Sequence, residues 1–306
     1  MRVLLIAAAC LGLPACAGSE SEDTTGDSVV PGASAAGGDS ARPIATPGGF
    51  TEPEAVRYDP DQDVYFVSNW GTGATDATDN NGFISRMSPE GVVDSMRFIA
   101  GGRGGVTLHS PRGMTIVGDT LWAVDADAVR GFNRRTGAPV ATVSFTRFQL
   151  GFLNDIAAGP DGLYITDTGT DHIYRLNGRT VTVALRDSTL GHPNGITWDN
   201  AGSRFVVVPY GGDSVIRAWT AGGTTHTVIG RGTGTKLDGV EVLAGGGVLV
   251  ASQGDSSLHL FTGATGRAII KTGGAPADIA VDTKRNRVAV PFVARNMVEI
   301  WQLPPQ

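Results

Sequence analysis

Short runs of alternating apolar and polar residues follow one another along most of the chain, separated by turns rich in Gly, Asp and Asn. Alternation with a period of two is typical of half-buried strands, and no long stretch shows apolar residues at helical spacing. The pattern therefore predicts an all-β protein built from many short strands.

A tetrapeptide signature opens one such run in each of six places. The six copies are Pro53-Glu54-Ala55-Val56, Pro111-Arg112-Gly113-Met114, Leu153-Asn154-Asp155-Ile156, Pro193-Asn194-Gly195-Ile196, Leu237-Asp238-Gly239-Val240 and Pro276-Ala277-Asp278-Ile279. Apart from a longer first interval, the copies recur at roughly 40 residues, a period typical of β-propeller blades. The repeat predicts a six-bladed β-propeller of four-stranded blades.

The last blade has room for three strands before the chain ends. We therefore expect an N-terminal segment, Pro43–Phe50, to supply the fourth strand and close the ring, which removes an exposed sheet edge. Pro43 and Pro47 disrupt ladder pairing, so this strand should be short.

The first strand of each blade lines the central channel, so the second positions of the six copies should meet around one axis. These positions are Glu54, Arg112, Asn154, Asn194, Asp238 and Ala277. Two carboxylates and two amides favour a hard divalent cation, calcium above all, and the lack of His and Cys disfavours zinc, copper and iron. The alternative is an internal ion pair between Glu54 and Arg112, because a buried Glu without a partner is costly.

Blade one carries an insertion, Trp70–Asn81, on the same face of the propeller as this ring. It is either a lid with Trp70 at its base or a passive surface loop. Tyr210 opens a turn on the same face. Trp70, Tyr210, Arg112 and Phe152 are the candidate substrate contacts.

The N-terminus has the composition of a processing signal rather than of a fold. Arg2, an apolar run and Leu13-Pro14-Ala15-Cys16 resemble a bacterial lipoprotein signal, which predicts lipidation of Cys16; plain secretion is the alternative. Residues 17–45 are rich in Ser, Gly, Ala, Thr and acids and are predicted to be a disordered tether, leaving residues 46–306 as the propeller.

These features predict an exported protein of the bacterial cell envelope, at the outer membrane or the periplasmic face, whose only membrane contact is the lipid. Both cysteines, Cys10 and Cys16, lie in the signal, so the propeller contains no thiol. A net charge of −6 without a basic cluster argues against nucleic acid as a partner.

Several of these stretches resemble the senescence marker protein / gluconolactonase / luciferin-regenerating-enzyme family over about residues 52–303. They are Pro53 to Pro60, Asn154-Asp155, Pro193 to Ile196 and Asp238 to Val242. The resemblance implies a six-bladed propeller with one divalent ion, usually calcium, on its axis. It also implies that Glu54, Asn154, Asn194 and Asp238 are the ligands.

The family's chemistry is hydrolysis of lactones and, in some relatives, of phosphoesters, which implies that Asp238 is a ligand or the general base that activates water. Phe152 replaces an arginine that holds substrate hydroxyls in the sugar lactonases, which favours a more hydrophobic lactone or ester.

Two functional hypotheses follow. The first is a calcium-dependent hydrolase of a small lactone or ester. The second is a non-catalytic propeller, similar to NHL-repeat proteins, that binds a ligand or a protein partner around a structural ion. A redox propeller with a quinone cofactor is a third. The sequence leaves open the substrate, the membrane that carries the lipid, and whether Arg112 faces the channel.

Overall fold

The structure, a computed structural model, describes residues 42–305. The predictions for the signal, for Cys16 and for most of the tether lie outside the described residues. Within this range the chain forms strands and two short 3-10 helices, Ser188–Leu190 and Val293–Arg295. Neither of these helices has the length and apolar character that a membrane-spanning helix needs.

The strands agree with the alternating pattern of the sequence. In chain order they are β1 Pro53–Asp59, β2 Val64–Asn69, β3 Phe83–Met87, β4 Val93–Ala100, β5 Met114–Val117, β6 Thr120–Val124, β7 Ala128–Asn133, β8 Pro139–Ser144, β9 Leu153–Gly159, β10 Gly162–Asp167, β11 His172–Asn177, β12 Thr180–Arg186, β13 Pro193–Asp199, β14 Arg204–Pro209, β15 Val215–Trp219, β16 His226–Arg231, β17 Leu237–Val242, β18 Val248–Ser252, β19 Ser257–Thr262, β20 Thr265–Lys271, β21 Ala280–Asp282, β22 Arg287–Phe292 and β23 Met297–Gln302.

Consecutive strands pair antiparallel into small sheets. Three sheets have four strands each (β1–β4, β5–β8 and β9–β12), and one has three (β21–β23). The remaining eight-stranded sheet joins β13–β16 to β17–β20 through one parallel pair, Arg231 and Thr265. Divided at that pair, residues 42–305 form six units in chain order, which confirms the all-β, propeller-like prediction.

The N-terminal segment pairs with the last strand, as expected. Ala45 pairs with Ile300 and Gly48 with Met297 as isolated antiparallel bridges. The Ile44 N–H donates to the Ile300 carbonyl at 2.7 Å. The pairing thus begins just before the predicted domain boundary at residue 46, and it is interrupted because Pro47 has no N–H to donate.

Apolar side chains from neighbouring units meet in hydrophobic clusters between the sheets. One such cluster joins the first unit to the last, because Val56 and Tyr65 pack with Ala289 and Ile300. Equivalent clusters lie between each other pair of consecutive units in the described range. The units therefore close into a ring.

Four of the six signature tetrapeptides form β-bulges. In the third unit Leu153 pairs with Asp167 while Ile156 pairs with Ile165, so three steps along β9 match two along β10. The same irregularity occurs at the openings of β1, β13 and β17. A bulge redirects the side chain of the extra residue. This is how the second position of each of these tetrapeptides turns toward the axis.

Glycine at the third position of some copies is explained by the closeness of neighbouring inner strands. A Cβ added to Gly195 would lie 2.1 Å from the Asp238 carbonyl oxygen, and one added to Gly113 would lie 2.2 Å from Asp155 Oδ1. Real Cβ atoms do not approach oxygen this closely. The glycines therefore allow the inner strands to converge on the axis.

Candidate functional site

A cavity of about 410 Å³ opens at one end of the channel. Its floor consists of five buried residues at the second signature position, and its rim of six residues that are partly buried or exposed. The floor residues are Glu54, Asn154, Asn194, Asp238 and Ala277, and the rim residues are Trp70, Phe152, Thr168, Tyr210, Gln253 and Val293.

Five of the rim residues share one repeat position, directly after the second strand of a unit: Trp70, Thr168, Tyr210, Gln253 and Val293. Their backbones are held alike where the inner strand begins. The N–H of Thr168 donates to the Phe152 carbonyl at 2.9 Å, and that of Tyr210 donates to the His192 carbonyl at 2.8 Å. Trp70 and Tyr210 were among the sequence candidates, but Thr168, Gln253 and Val293 were missed. Their shared place after an apolar run was the signal that could have found them.

The structure brings the four predicted metal ligands to the same cavity floor. Glu54 is 4% exposed, Asn154 7%, Asn194 3% and Asp238 5%. The Asn194 amide donates through Nδ2 to the Leu237 carbonyl at 3.1 Å. Asn194 Oδ1 and Glu54 Oε2 are both enclosed without a hydrogen-bond partner.

A buried oxygen without a partner is destabilising. Carboxylate and amide oxygens are the ligands that a hard cation such as Ca²⁺ takes. The two unpartnered oxygens, from Glu54 and Asn194, therefore fit a cation bound at the floor.

Neighbouring rim residues orient the other two predicted ligands. The Gln253 side-chain amide donates to Asp238 Oδ2. Asn154 donates through Nδ2 to Thr168 Oγ1 at 2.9 Å. Each hydrogen bond engages one polar atom of the floor residue, Asp238 Oδ2 or Asn154 Nδ2, and so fixes the orientation of that side chain.

The axis carries more buried carboxyls than cationic groups. Burial, reinforced by neighbouring carboxylates, raises the pKa of Glu54 and of Asp278 well above the ordinary range. Burial also raises the pKa of Asp155 to about 6 and that of Asp238 to about 7. A divalent cation would supply the missing positive charge and restore the ionised forms.

Below the floor, Arg57 meets part of this charge. Its Nη1 lies 2.6 Å from Glu241 Oε1, and its Nη2 lies 4.0 Å from Asp278 Oδ2. Its Nε donates to the Met114 carbonyl at 2.7 Å. Arg57 is thus engaged at this deeper level and leaves the carboxyls of the floor to other partners.

The structure does not bring Arg112 to the cavity surface. This side chain is 1% exposed and donates to the carbonyls of Leu153 and Thr75, each at 2.6 Å. Its guanidinium carbon lies 3.8 Å from the centre of the Phe152 ring. Burial lowers the pKa of Arg112 to about 10, an effect that Glu54 and other carboxylates oppose. Arg112 therefore supports the cavity wall from behind, and its predicted contact with a substrate stays a prediction.

The blade-one insertion is anchored to the connection between β4 and β5. The Asn80 N–H donates to His109 Nδ1 at 3.0 Å, and the Leu108 N–H donates to Asn80 Oδ1 at 2.7 Å. With the Arg112 contact to Thr75, these bonds fix the loop while Trp70 at its base lines the rim.

Acidic side chains at the ends of second strands hold the loops that lead to the floor. Asp167 accepts the N–H groups of Phe152, Gly151 and Gly169, and Asp125 accepts those of His109 and Ser110. These aspartates were not among the sequence candidates. They support the site without reaching the cavity.

A second group of metal-type ligand atoms comes from His109, Asp125 and Asp127. Arg130 already lies between the two carboxylates: its Nε pairs with Asp125, and its Nη2 lies 2.8 Å from Asp127 Oδ1. His109 Nδ1 is occupied by the Asn80 N–H. The Arg130 guanidinium already neutralises these two carboxylates, so the cavity floor is the better candidate metal centre.

Neither a protein-family model nor a curated protein matches the chain. Among solved structures, a gluconolactonase from Xanthomonas campestris is 16% identical with a TM-score of 0.63, over 83% of this chain and 87% of that one. Luciferin-regenerating enzyme is 12% identical with a TM-score of 0.61, over 84% and 94%. An inactive His-to-Ala variant of virginiamycin B lyase from Staphylococcus aureus, with quinupristin, is 13% identical with a TM-score of 0.57, over 82% and 95%.

These identities show the fold alone. The chain has the β-propeller fold that gluconolactonase and luciferin-regenerating enzyme share, as the sequence resemblance predicts. Because proteins named as a lactonase and as a lyase have this fold, the reaction must be argued from the site.

Proposed function

We propose that this protein is a divalent-cation-dependent hydrolase of a small lactone or ester. Glu54, Asn154, Asn194 and Asp238 would hold the cation, for which calcium fits best because all the donors are oxygens. The observation that carries this proposal is the pair of enclosed, unpartnered oxygens, Glu54 Oε2 and Asn194 Oδ1, at the floor of the cavity.

The bound cation would act as a Lewis acid toward a carbonyl oxygen. The chain's own contribution centres on Asp238, whose carboxylate accepts a proton from water. Gln253 holds Asp238 Oδ2 and so leaves Oδ1 for this role or for the cation. The aromatic rim, with Trp70, Phe152 and Tyr210, shields the floor from bulk water and positions the substrate above it.

A lyase is less well supported. The virginiamycin B lyase of the comparison is catalytically inactive after replacement of a histidine, whereas no histidine is among the described residues that line this cavity. The alternative of a non-catalytic propeller with a structural ion shares the metal centre and differs only in the absence of turnover. Nothing in the cavity favours a quinone cofactor over a hydrolysable ester.

We also propose where the protein is located in the cell. Lipidation at Cys16 would tether the propeller to the bacterial envelope, with secretion as the alternative, and the substrate would be a small molecule reached outside the cytoplasm. A protein partner is left open.

The test is chelator-sensitive hydrolysis of a panel of lactones and aryl esters by purified protein, with Asp238→Asn and Asp213→Asn side by side. Asp213 has a side chain that is 50% exposed and is paired with Arg217, so it serves as the matched control. We expect turnover that EDTA abolishes, that calcium restores, and that only Asp238→Asn removes. Calcium binding without turnover of any substrate would instead favour the non-catalytic propeller.

A further inference from the structure

Two polar side chains of the rim, Thr168 and Gln253, are already engaged by the protein itself. Thr168 Oγ1 donates to the Pro193 carbonyl at 2.8 Å and accepts from the Asn154 amide at 2.9 Å. The Gln253 amide donates to Asp238, whereas the Tyr210 hydroxyl lies 3.5 Å from Gln253 Oε1 and is only weakly held. A ligand that needs hydrogen bonds from Thr168 or from the Gln253 amide would have to break these contacts.

The nearest strong donor is also engaged. Arg112 lies behind Phe152, with two of its nitrogens bonded to the carbonyls of Leu153 and Thr75. Trp70 Nε1 lacks a partner and is one donor that the rim could offer. Among the described residues, the rim therefore offers this N–H and the Tyr210 hydroxyl, which are few hydrogen-bonding groups for a molecule with several hydroxyls.

What the rim presents instead is apolar surface. The rings of Trp70, Phe152 and Tyr210 stand with Val293 above a floor that includes Ala277. Phe152 is fixed on both sides, since its N–H donates to Asp167 Oδ1 at 2.7 Å and its ring stacks on the Arg112 guanidinium. A rigid aromatic wall binds apolar groups with little loss of conformational freedom.

We infer that the substrate is an apolar lactone or ester, one whose alkyl or aryl part lies against Phe152, Trp70 and Tyr210, and not a polyhydroxylated sugar lactone. This inference rests on the proposed function and names the substrate class of the same site. Each hydroxyl buried without a partner should weaken binding about tenfold. Each additional methylene on the apolar part should strengthen it about fourfold until the cavity is filled.

The test is binding, so that it does not depend on turnover. We would titrate the calcium-loaded protein by calorimetry with two non-hydrolysable lactams of equal ring size, one bearing a pentyl chain and the other the hydroxyls of gluconolactone. We expect the pentyl lactam to bind at least about 100-fold more tightly. Tighter binding of the hydroxylated lactam, or equal binding, would overturn the inference.

Two variants test whether the preference for an apolar ligand comes from the aromatic rim. Phe152→Ala should lower affinity for the pentyl lactam about tenfold or more through loss of the ring contact. Val140→Ala also removes an apolar side chain, but Val140 lies on β8, is 57% exposed and does not line the cavity, so this variant should leave that affinity unchanged. An unchanged affinity in Phe152→Ala, or an equal loss in Val140→Ala, would contradict an apolar wall.

The outcome is separable from that of the proposed function. Tight binding of the pentyl lactam with no hydrolysis of the corresponding lactone supports the ligand class and refutes the hydrolase. Hydrolysis of gluconolactone in preference to alkyl lactones supports the hydrolase and refutes the ligand class.

Discussion

Removal of divalent cations should make this protein less stable at pH 8 than at pH 5. Removal of the cation affects the buried carboxyls of the axis, all of which have raised pKa values in the folded state: Glu54, Asp155, Asp238 and Asp278. Without a cation they remain protonated in the folded protein after the same groups have ionised in the unfolded chain. Stability is then fully present below pH 4 and is lost as the pH rises toward the folded pKa.

The magnitude follows from Asp238. Its pKa rises from an ordinary 3.8 to about 7, and each pKa unit corresponds to about 1.4 kcal/mol. The whole shift corresponds to about 4 kcal/mol between pH 3.8 and pH 7, and about 3 kcal/mol of this is lost above pH 5. For a domain of this size we expect Asp238 alone to lower Tm by about 7 °C between pH 5 and pH 8. Asp155, whose pKa rises to about 6, titrates in the same window and direction.

The assay is differential scanning calorimetry in EDTA and in millimolar calcium at several pH values between 5 and 8. Calcium should remove most of the decline, because it binds the ionised form that high pH produces. His226, whose pKa is lowered by burial, acts in the opposite direction below pH 6.5. Asp238→Asn should make the decline of Tm with pH in EDTA smaller without abolishing it, because Glu54, Asp155 and Asp278 remain. A Tm in EDTA that is constant or rises from pH 5 to pH 8 would mean that these carboxyls are not destabilised by ionisation in the folded protein.

Three further changes test the structural framework of the propeller. Gly195→Ala places a Cβ 2.1 Å from the Asp238 carbonyl oxygen and should lower the free energy of unfolding in urea by about 3 kcal/mol. The control Gly212→Ala meets nothing within 4 Å and should lower it by less than about 0.5 kcal/mol. Asp167→Ala leaves three backbone N–H groups without their acceptor and should lower the unfolding free energy by about 3 kcal/mol; an unchanged value would mean that water replaces the carboxylate fully. Deletion of residues 1–48 removes the pairing with β23 and should lower Tm by about 5 °C or more, while deletion of residues 1–41 should leave Tm unchanged.

The fold could be predicted from the sequence because the signature tetrapeptide repeats along the chain. A period near 40 residues with alternating short runs predicts blades. The missing strand of the last blade predicts that Pro43–Phe50 closes the ring, and in the structure Ala45 pairs with Ile300. The floor was predictable for the same reason, since equal repeat positions meet at equal heights around an axis. The bulge that redirects these side chains, as at Leu153 to Ile156, was not visible, because it depends on register between two strands.

Arg112 illustrates the limit of that argument. It occupies the same repeat position as Glu54 and Asn154 but does not line the cavity, and its nitrogens donate to the carbonyls of Leu153 and Thr75. One of these acceptors belongs to the blade-one insertion, which no repeat pattern describes. Gln253 shows the converse: its turn-like surroundings hid a side chain that orients Asp238.

The most direct test of the central claim is a calorimetric titration of calcium into chelator-treated protein, comparing wild type with Glu54→Gln and with Asp213→Asn. We expect one calcium ion per chain, an affinity reduced about tenfold or more in Glu54→Gln, and no change in Asp213→Asn. An affinity that Glu54→Gln leaves intact, or no binding by the wild type, would contradict a metal centre on the propeller axis.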